Sequence, residues 1–291
     1  MSMSLRERVP TPLHGLARTS YARLGQATPG LRMLPSFVVI GGQRCGTTTI
    51  FKHLTEHPQV FRPGVEKGVD YFSLHYDRDL DWYRGHFPVE RLARLRTQGH
   101  GAPQAFEACT YYMFHPFAIE RLVRDLPDVK LVAMLRDPAE RAFSAYKHEL
   151  ARGFETETSF ERALDLEDER LEGELERMAA DVTYESHAHR HQAYRRRSQY
   201  AEQLERVLEH VPADRLHVLD SESFFAAPAD EYRRVTDFLG LDAWQPPRFE
   251  QHNARPSKPM PEHVRARLDA HFVPHDEALE RLLGRTPGWR R

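Results

Sequence analysis

The most constraining stretch of the sequence is FVVIGGQRCGTTTIFKHL, residues 37–54, where an apolar run meets a glycine-rich turn and then a helical pattern. The apolar residues are continuous and do not alternate with polar ones, which is typical of a strand buried on both faces of a parallel sheet. Glycines allow a tight turn, and the start of a following helix directs free N–H groups and its positive dipole end toward an anion. The stretch therefore predicts a strand, a phosphate-binding turn and a helix.

Two further apolar runs have the same character, and each adjoins a helical pattern. The three predicted strands are residues 37–42, 129–135 and 215–220. Strands that alternate with helices along a chain of this length favour a parallel sheet covered by the helices that connect its strands. The sequence therefore predicts an α/β fold, a P-loop-like three-layer sandwich with a central parallel sheet and helices on both faces.

Composition excludes several classes of function. The formal net charge of −2 argues against a general binder of nucleic acid or of anionic membranes. The two cysteines, Cys45 and Cys109, are too few for a disulfide framework or a cysteine metal site. Such a low cysteine content fits a reducing cytoplasm, which is the expected location. No run reaches the ~18 apolar residues of a membrane span, so we expect no membrane span, and the net charge leads us to expect no nucleic-acid partner. Oligomeric state stays open.

The turn comes close to the nucleoside-triphosphatase pattern G-x-x-x-x-G-K-[ST] but departs from it at one position. Gly41 and Gly46 are the two glycines, Thr47 stands at the lysine position, and Thr48 stands at the Ser/Thr position. A γ-phosphate with bound Mg²⁺ normally needs that lysine and an acidic partner for the metal. Here the cation is Arg44, inside the turn, which favours a phosphate ligand that carries less charge and no metal.

The pattern G-x-x-[KR]-x-G-T-T-x-[LI] after such a strand resembles the 5′-phosphosulfate loop of sulfotransferases, whose donor is 3′-phosphoadenosine 5′-phosphosulfate. A second motif of that family is present in LVAMLRDPAERAFSAY. Arg136 follows the strand directly and Ser144 comes eight residues later, and the resemblance implies that both bind the 3′-phosphate. The planar donors of an arginine suit a phosphate dianion. The resemblance covers roughly residues 35–289.

The resemblance implies a set of residues that hold the donor and release its product, adenosine 3′,5′-bisphosphate, without a metal. Tyr200 belongs to an R-x-x-Y-x-x-x-L element, and Arg255 and Lys258 lie in a loop similar to the one that closes over the donor. The alternative interpretation is that Arg255 and Lys258 are two solvated charges in a proline-rich loop. The implied donor-binding residues are Arg44, Cys45, Gly46, Thr47, Thr48, Thr49, Arg136, Ser144, Tyr200, Arg255 and Lys258.

The predicted catalytic residues are Arg44, Asp70 and Glu107. Arg44 stands where the family has a catalytic lysine or arginine, and its role is electrostatic because arginine is a poor proton donor. The family motif K-E-x-H-[FY]-F matches residues 67–72, with Gly68 at the glutamate position and Asp70 at the histidine position. In an extended segment, residues two apart face the same side. Asp70 is two residues after the position of the family's glutamate, so it is the first candidate for the base. The other candidates for the base are Glu66, Glu107 and His148.

The sequence separates into a segment of residues 1–34, predicted to be a leader or a short docking segment, and a single sulfotransferase domain of residues 35–291. Within the domain, residues 153–198 are highly charged and have few apolar positions. Two interpretations of this insertion stay open: solvated helices laid over the sheet, or a helical cap that shapes the acceptor pocket. Its three histidines at alternating positions, His187, His189 and His191, favour a surface feature over a metal site.

Together these features predict a sulfotransferase that moves the sulfonate of 3′-phosphoadenosine 5′-phosphosulfate to a hydroxyl of a small-molecule or carbohydrate acceptor. The expected reaction is an in-line displacement at sulfur that needs no metal, in which positioning and electrostatics dominate. One alternative is an ATP-dependent small-molecule kinase, against which the lysine-free turn counts. The other is a catalytically degenerate nucleotide-binding homologue, which Gly68 supports.

Overall fold

A five-stranded parallel sheet forms the centre of the protein, whose computed structural model describes residues 25–64, 66–250 and 259–290. The spatial order of the strands is β2-β3-β1-β4-β5, and each neighbouring pair is parallel. The strands are β1 (Pro35–Gly41), β2 (Val60–Phe61), β3 (Gln104–Ala108), β4 (Lys130–Leu135) and β5 (Leu216–Asp220). The parallel sheet is confirmed, and β1, β4 and β5 match the three predicted strands.

The sequence did not predict β2 and β3. Strand β2 has only two residues, and β3 carries Gln104 and Glu107 in a five-residue strand, so neither shows a continuous apolar run. Both lie on the β1 side of the sheet away from β4.

The helices fill the connections between the strands. None of those in the described part of the chain combines the length and the apolar character that a bilayer-spanning helix needs. They are α1 (Thr47–Glu56), α2 (Tyr71–Leu74), α3 (Leu80–Arg84), α4 (Glu90–Arg96), α5 (Ala118–Asp125), α6 (Pro138–Arg152), α7 (Phe160–Asp165), α8 (Glu167–Leu171), α9 (Glu174–Ala180), α10 (Tyr200–His210), α11 (Ser221–Ala226), α12 (Pro228–Leu239) and α13 (Glu262–Leu283).

Both faces of the sheet are covered by helices, which is why β1, β4 and β5 read as continuous apolar runs. Phe37 and Val39 of β1 belong to a core cluster that includes residues of α1 and α12. Val38 and Ile40 point to the other face and join residues of α5 and α10. Successive side chains of a strand face opposite sides of the sheet, so each side of β1 buries its own apolar set. The predicted three-layer α/β sandwich is therefore confirmed.

The charged insertion of residues 153–198 contains α7, α8 and α9, followed by a π-helical turn at Ala188–Gln192 and a 3₁₀ turn at Arg196–Ser198. Its apolar side chains Phe160, Ala163, Leu164 and Tyr194 join a third core cluster, whose other buried members come from α6 and α13. The insertion is thus anchored on α6, the helix that follows β4. Its role as a cap stays a prediction.

The segment before the sheet is described from residue 25 onward. The guanidinium of Arg32 donates to the carbonyl oxygen of Phe87 at 2.6 Å, and Met33 is buried in the core cluster of α5 and α10. Residues 25–34 thus pack on the domain. Residues 1–24 of the predicted leader lie outside the described residues, as do Arg255 and Lys258.

Candidate active site

The turn between β1 and α1 has two residues in the left-handed region, Arg44 at φ +67° and Gly46 at φ +88°. A Cβ atom on Gly46 would lie 2.9 Å from Cε of Met134 and 3.2 Å from Cζ of Phe225, so both the backbone conformation and the available space require glycine. Cys45, between them, is fully buried, and burial raises the pKa of its thiol to about 11. Its side chain is therefore a neutral thiol, and only its backbone can contact a ligand.

The first turn of α1 presents backbone N–H groups at the end of this loop. Gly46 is the N-cap residue, and as a glycine it has no side chain of its own to cap the helix. The first N–H groups of a helix lack partners within the helix and attract anions. Thr48 lines a cavity, whereas Thr47 and Thr49 are buried. Of the three predicted threonines, Thr48 is therefore the one whose side chain faces open space.

The two predicted phosphate-binding motifs meet in the structure. Nε of Arg44 donates to Oγ of Ser144 at 3.0 Å, across a separation of 100 residues in the sequence. The guanidinium of Arg136 donates to the carbonyl oxygen of Arg44 at 3.4 Å. The hydroxyl of Tyr200 donates to the carbonyl oxygen of Arg136 at 3.0 Å and lies 3.7 Å from Sγ of Cys45. Five of the predicted donor-binding residues thus form one connected group.

This group lies where open α/β sheets place their ligands. The chain leaves β1 toward β2 and β3 on one side of the sheet, and it leaves β4 toward β5 on the other. Adjacent strands whose connections run in opposite directions leave a crevice at their carboxyl ends, which is the usual ligand site of such sheets. The turn after β1 and Arg136 after β4 flank that crevice.

A second cavity, of about 450 Å³, is lined by residues of the segment before α2 and of the segment after β3. Asp70 and Cys109 both line it, and the thiol of Cys109 donates to Oδ1 of Asp70 at 2.7 Å. Burial and then the nearby Asp70 charge raise the pKa of Cys109, so the thiol keeps the proton that it donates. Asp70 is thus an oriented carboxylate in a cavity, as a candidate base must be. Glu66 lines the same cavity.

Glu107 lies in the core, and its contacts are structural. Its side chain accepts hydrogen bonds from the backbone N–H of Val69 at 2.6 Å, from the hydroxyl of Tyr83 at 2.7 Å and from that of Tyr112 at 3.0 Å. Burial raises the pKa of Glu107 to about 7. The carboxyl group is fully enclosed, so the structure does not bring Glu107 to the cavity that Asp70 lines. Its predicted catalytic role therefore has no support from its position.

Lys67 contacts the turn, although the sequence did not predict it as a site residue. Its Nζ donates to Oγ1 of Thr47 at 2.9 Å, so an ammonium group reaches the position where the triphosphatase pattern has its lysine. Burial lowers the pKa of Lys67 to about 8. The only signal in the sequence was that Lys67 is the first residue of the segment matched to K-E-x-H-[FY]-F.

The three histidines of the insertion are engaged with protein groups. Nδ1 of His189 lies 2.8 Å from the hydroxyl of Tyr111, and Nδ1 of His191 lies 2.9 Å from Oε2 of Glu149. The ring nitrogen Nε2 of His187 contacts a backbone carbonyl oxygen of the same insertion at 2.8 Å. Within the described ranges, no group of three or more His, Cys, Asp or Glu side chains is arranged to hold a metal ion.

Comparison with known proteins agrees with this geometry. The membrane-associated sulfotransferase kil1 of Dictyostelium discoideum is 25% identical, over 89% of this chain and 67% of that protein. Heparan sulfate glucosamine 3-O-sulfotransferase 6 of Mus musculus is 26% identical, over 97% of this chain and 84% of that protein. A crystal structure of a sulfotransferase from Alicyclobacillus acidocaldarius is similar with a TM-score of 0.67 and 28% identity, covering 89% of this chain and 100% of that one. The sequence profile of the sulfotransferase family matches residues 35–246, and the chain therefore belongs to that family.

Proposed function

We propose that the protein transfers the sulfonate group of 3′-phosphoadenosine 5′-phosphosulfate to a hydroxyl of a small-molecule or carbohydrate acceptor. The observation that carries the proposal is the 3.0 Å contact between Nε of Arg44 and Oγ of Ser144. That contact joins the turn after β1 to the helix after β4, and these are the two motifs that the sequence relates to the two phosphate groups of one donor.

Each proposed role follows from the position of the residue relative to the two phosphate groups of the donor. Bound in the crevice, the donor supplies the sulfonate and departs as adenosine 3′,5′-bisphosphate. Arg44 and the N–H groups at the start of α1 neutralise charge at the 5′ side, where the turn is tight enough for backbone to approach a phosphate. Arg136 and Ser144 bind the 3′-phosphate, for which a planar guanidinium is suited. These cations supply positive charge at the site, so the proposed reaction needs no metal.

Asp70 is the proposed base. Its carboxylate lines a cavity and is oriented by the thiol of Cys109. A base held in one orientation can accept the hydroxyl proton of an acceptor as the acceptor oxygen attacks sulfur. Glu66 in the same cavity and His148 on α6 remain secondary candidates for the base.

The proposed acceptor belongs to one of two classes, small molecules or carbohydrates. One relative acts on heparan sulfate glucosamine by its name, and a carbohydrate hydroxyl is therefore one of the two acceptor classes proposed here. The cytoplasmic location stays a prediction.

Calorimetry tests the identity of the donor. Adenosine 3′,5′-bisphosphate should bind without Mg²⁺, and ATP should not; the reverse result would favour a kinase and contradict the proposal. Arg136→Ala should weaken binding of the bisphosphate by about tenfold to a hundredfold, because a hydrogen bond to a charged group contributes roughly 1.5–3 kcal/mol. Arg94→Ala is the matched control, since Arg94 is exposed on α4 and paired with Glu90.

Transfer of labelled sulfonate from the donor into a panel of hydroxyl acceptors distinguishes an enzyme from a degenerate homologue. We expect labelled product with the wild-type protein and a loss of about a hundredfold or more with Asp70→Asn, whose binding of the bisphosphate should be unchanged. Binding without transfer to any acceptor would support the degenerate alternative.

A further inference from the structure

The ammonium group of Lys67 reaches the phosphate-binding turn from a different segment of the chain. Nζ donates to Oγ1 of Thr47 at 2.9 Å, across 20 residues of sequence. Thr47 occupies the lysine position of the triphosphatase pattern. The lysine that is absent from the sequence of the turn therefore has a counterpart beside the turn in space.

The backbone around Lys67 is held firmly at the carboxyl end of β3. The carbonyl oxygen of Lys67 accepts from the N–H of Ala108 at 2.9 Å, and the N–H of Val69 donates to Glu107 at 2.6 Å. Between them Gly68 lies against the carbonyl oxygen of Ala108, which a Cβ atom would approach to 2.7 Å. These contacts fix the point from which the Lys67 side chain extends toward α1.

Lys67 contacts Thr47, the first residue of α1 after the turn, and lines the same cavity as Asp70, the candidate base. It lines a cavity of about 710 Å³ together with Thr48 and Phe51 of α1. It also lines the cavity of about 450 Å³ that contains Asp70 and Cys109. If the donor occupies the turn and the acceptor lies at Asp70, the transferred group passes between these two places, next to Lys67.

We propose that Lys67 is a further catalytic residue, whose ammonium group binds the sulfonate as it passes from donor to acceptor. This inference rests on the proposed function. In the step, the acceptor oxygen forms a bond to sulfur, and the bond from sulfur to the oxygen of the 5′-phosphate breaks with its electron pair staying on that oxygen. The acceptor proton goes to Asp70. Lys67 keeps its protons throughout and stabilises the negative charge on the sulfonate oxygens.

The chemistry of lysine suits this role. An ammonium group is a compact charge with three N–H donors, and the contact with Thr47 uses one of them. Burial lowers the pKa of Lys67 to about 8, so the group is charged at neutral pH but loses its proton within a range that kinetics can reach.

The first test compares Lys67→Met with Lys67→Arg. The methionine keeps most of the volume and removes the charge, so kcat should fall by about a hundredfold to a thousandfold, the size of effect seen when one preorganised donor to a reacting group is lost. Binding of adenosine 3′,5′-bisphosphate should change less than about threefold, because this product carries no sulfonate, and Lys67→Arg should recover part of the lost kcat. A kcat within about threefold of wild type, or a loss of bisphosphate affinity as large as the loss of kcat, would overturn the proposal.

The second test uses the wild-type protein and therefore does not depend on the variant folding. The pH dependence of kcat/KM for the donor reports ionisations of the free enzyme. Because the protonated amine is the active form, kcat/KM should fall as pH rises above about 8, and Lys67→Arg should show no fall in that range. A kcat/KM that rises through pH 8 would make neutral Lys67 a base and would overturn the proposed role.

The wild-type protein tests the proposed function, and Lys67→Met tests the role of Lys67 separately. A wild-type protein that binds no bisphosphate and transfers no sulfonate contradicts the proposed function itself. A wild-type protein that does both, with a Lys67→Met variant of equal kcat, contradicts the role of Lys67 alone.

Discussion

The carbonyl oxygen of Ala108 decides which residue is tolerated at position 68. A Cβ atom on Gly68 would lie 2.7 Å from that oxygen, closer than real Cβ contacts come, and the neighbour is backbone that cannot rotate away. The glutamate that the family motif has at this position would therefore displace the segment that carries Lys67 and Asp70. At the residue scale, glycine at position 68 follows from the close approach of two backbone segments.

Gly68→Ala should accordingly destabilise the protein. We expect a loss of about 1–3 kcal/mol in the free energy of unfolding, the usual cost of forcing an extra carbon into a packed site. Gly30→Ala is the matched control, because a Cβ atom there meets nothing within 4 Å. Chemical denaturation of both variants measures the difference, and equal stability would show that the two segments separate easily.

Glu107 connects several elements through one carboxyl group on β3. Its partners are the N–H of Val69 before α2, the hydroxyl of Tyr83 in α3 and the hydroxyl of Tyr112 after β3. Burial raises its pKa to about 7 from 4.5, because the charged form loses its hydration, although the three donors partly offset that loss. At the element scale, this group holds the short helices α2 and α3 against the sheet.

The raised pKa of Glu107 predicts how stability depends on pH. The folded protein holds this proton up to about pH 7 and the unfolded chain releases it near pH 4.5, so the contribution is full below pH 4.5 and is lost as pH rises through 7. Glu107→Gln cannot ionise, so between pH 4 and pH 8 the wild-type protein should lose roughly 3 kcal/mol relative to this variant. Denaturation curves across that range measure the difference, with Glu90→Gln on the exposed face of α4 as the control. Parallel curves for wild type and Glu107→Gln would show that Glu107 is ionised in the folded protein.

The insertion is linked to the turn between β1 and α1 through Glu149, a buried carboxylate on α6. Nε2 of Gln43 in the turn donates to Oε1 of Glu149 at 2.7 Å, and Nδ1 of His191 in the insertion lies 2.9 Å from Oε2. Glu149 is only 2% exposed, so both contacts are shielded from water. At the scale of the whole molecule, one side chain thus connects the insertion to the turn between β1 and α1.

Replacing the carboxylate of Glu149 should weaken ligand binding at the turn between β1 and α1, although Glu149 itself lies on α6. With Glu149→Leu, Gln43 and His191 lose a shared acceptor, and binding of adenosine 3′,5′-bisphosphate should weaken by about threefold to tenfold, as for the loss of one hydrogen bond that orders the turn. Glu161→Leu, which removes an exposed contact between the insertion and His263, should bind the bisphosphate like wild type. Calorimetry that finds equal affinities for both variants would show that the turn keeps its shape without the insertion.

Local sequence was enough to predict the parts of the fold that depend only on residues close together in the chain. Continuous apolar runs predicted β1, β4 and β5, because a strand buried on both faces needs apolar side chains at every position. The glycines and the position of Arg44 predicted the turn, because a chain can fold around an anion only where its backbone is free to do so. Arg136 and Ser144 were assigned because LVAMLRDPAERAFSAY resembles the second motif of the sulfotransferase family.

Only the tertiary structure decided which side chains from other segments of the chain contact β3 and the turn after β1. Strand β3 was not predicted because Glu107 interrupts its apolar pattern, and two of the three donors that Glu107 needs, Val69 and Tyr83, come from segments far away in the sequence. Lys67 was not assigned to the donor turn because its contact with Thr47 depends on how the segment before α2 lies against β3. The sequence by itself determined three of the five strands, the glycine-rich turn and the two motifs that resemble the family's phosphate-binding motifs. Packing between distant segments decided which ammonium and which carboxylate stand beside them, since the energy of a buried charge depends on neighbours that local patterns do not specify.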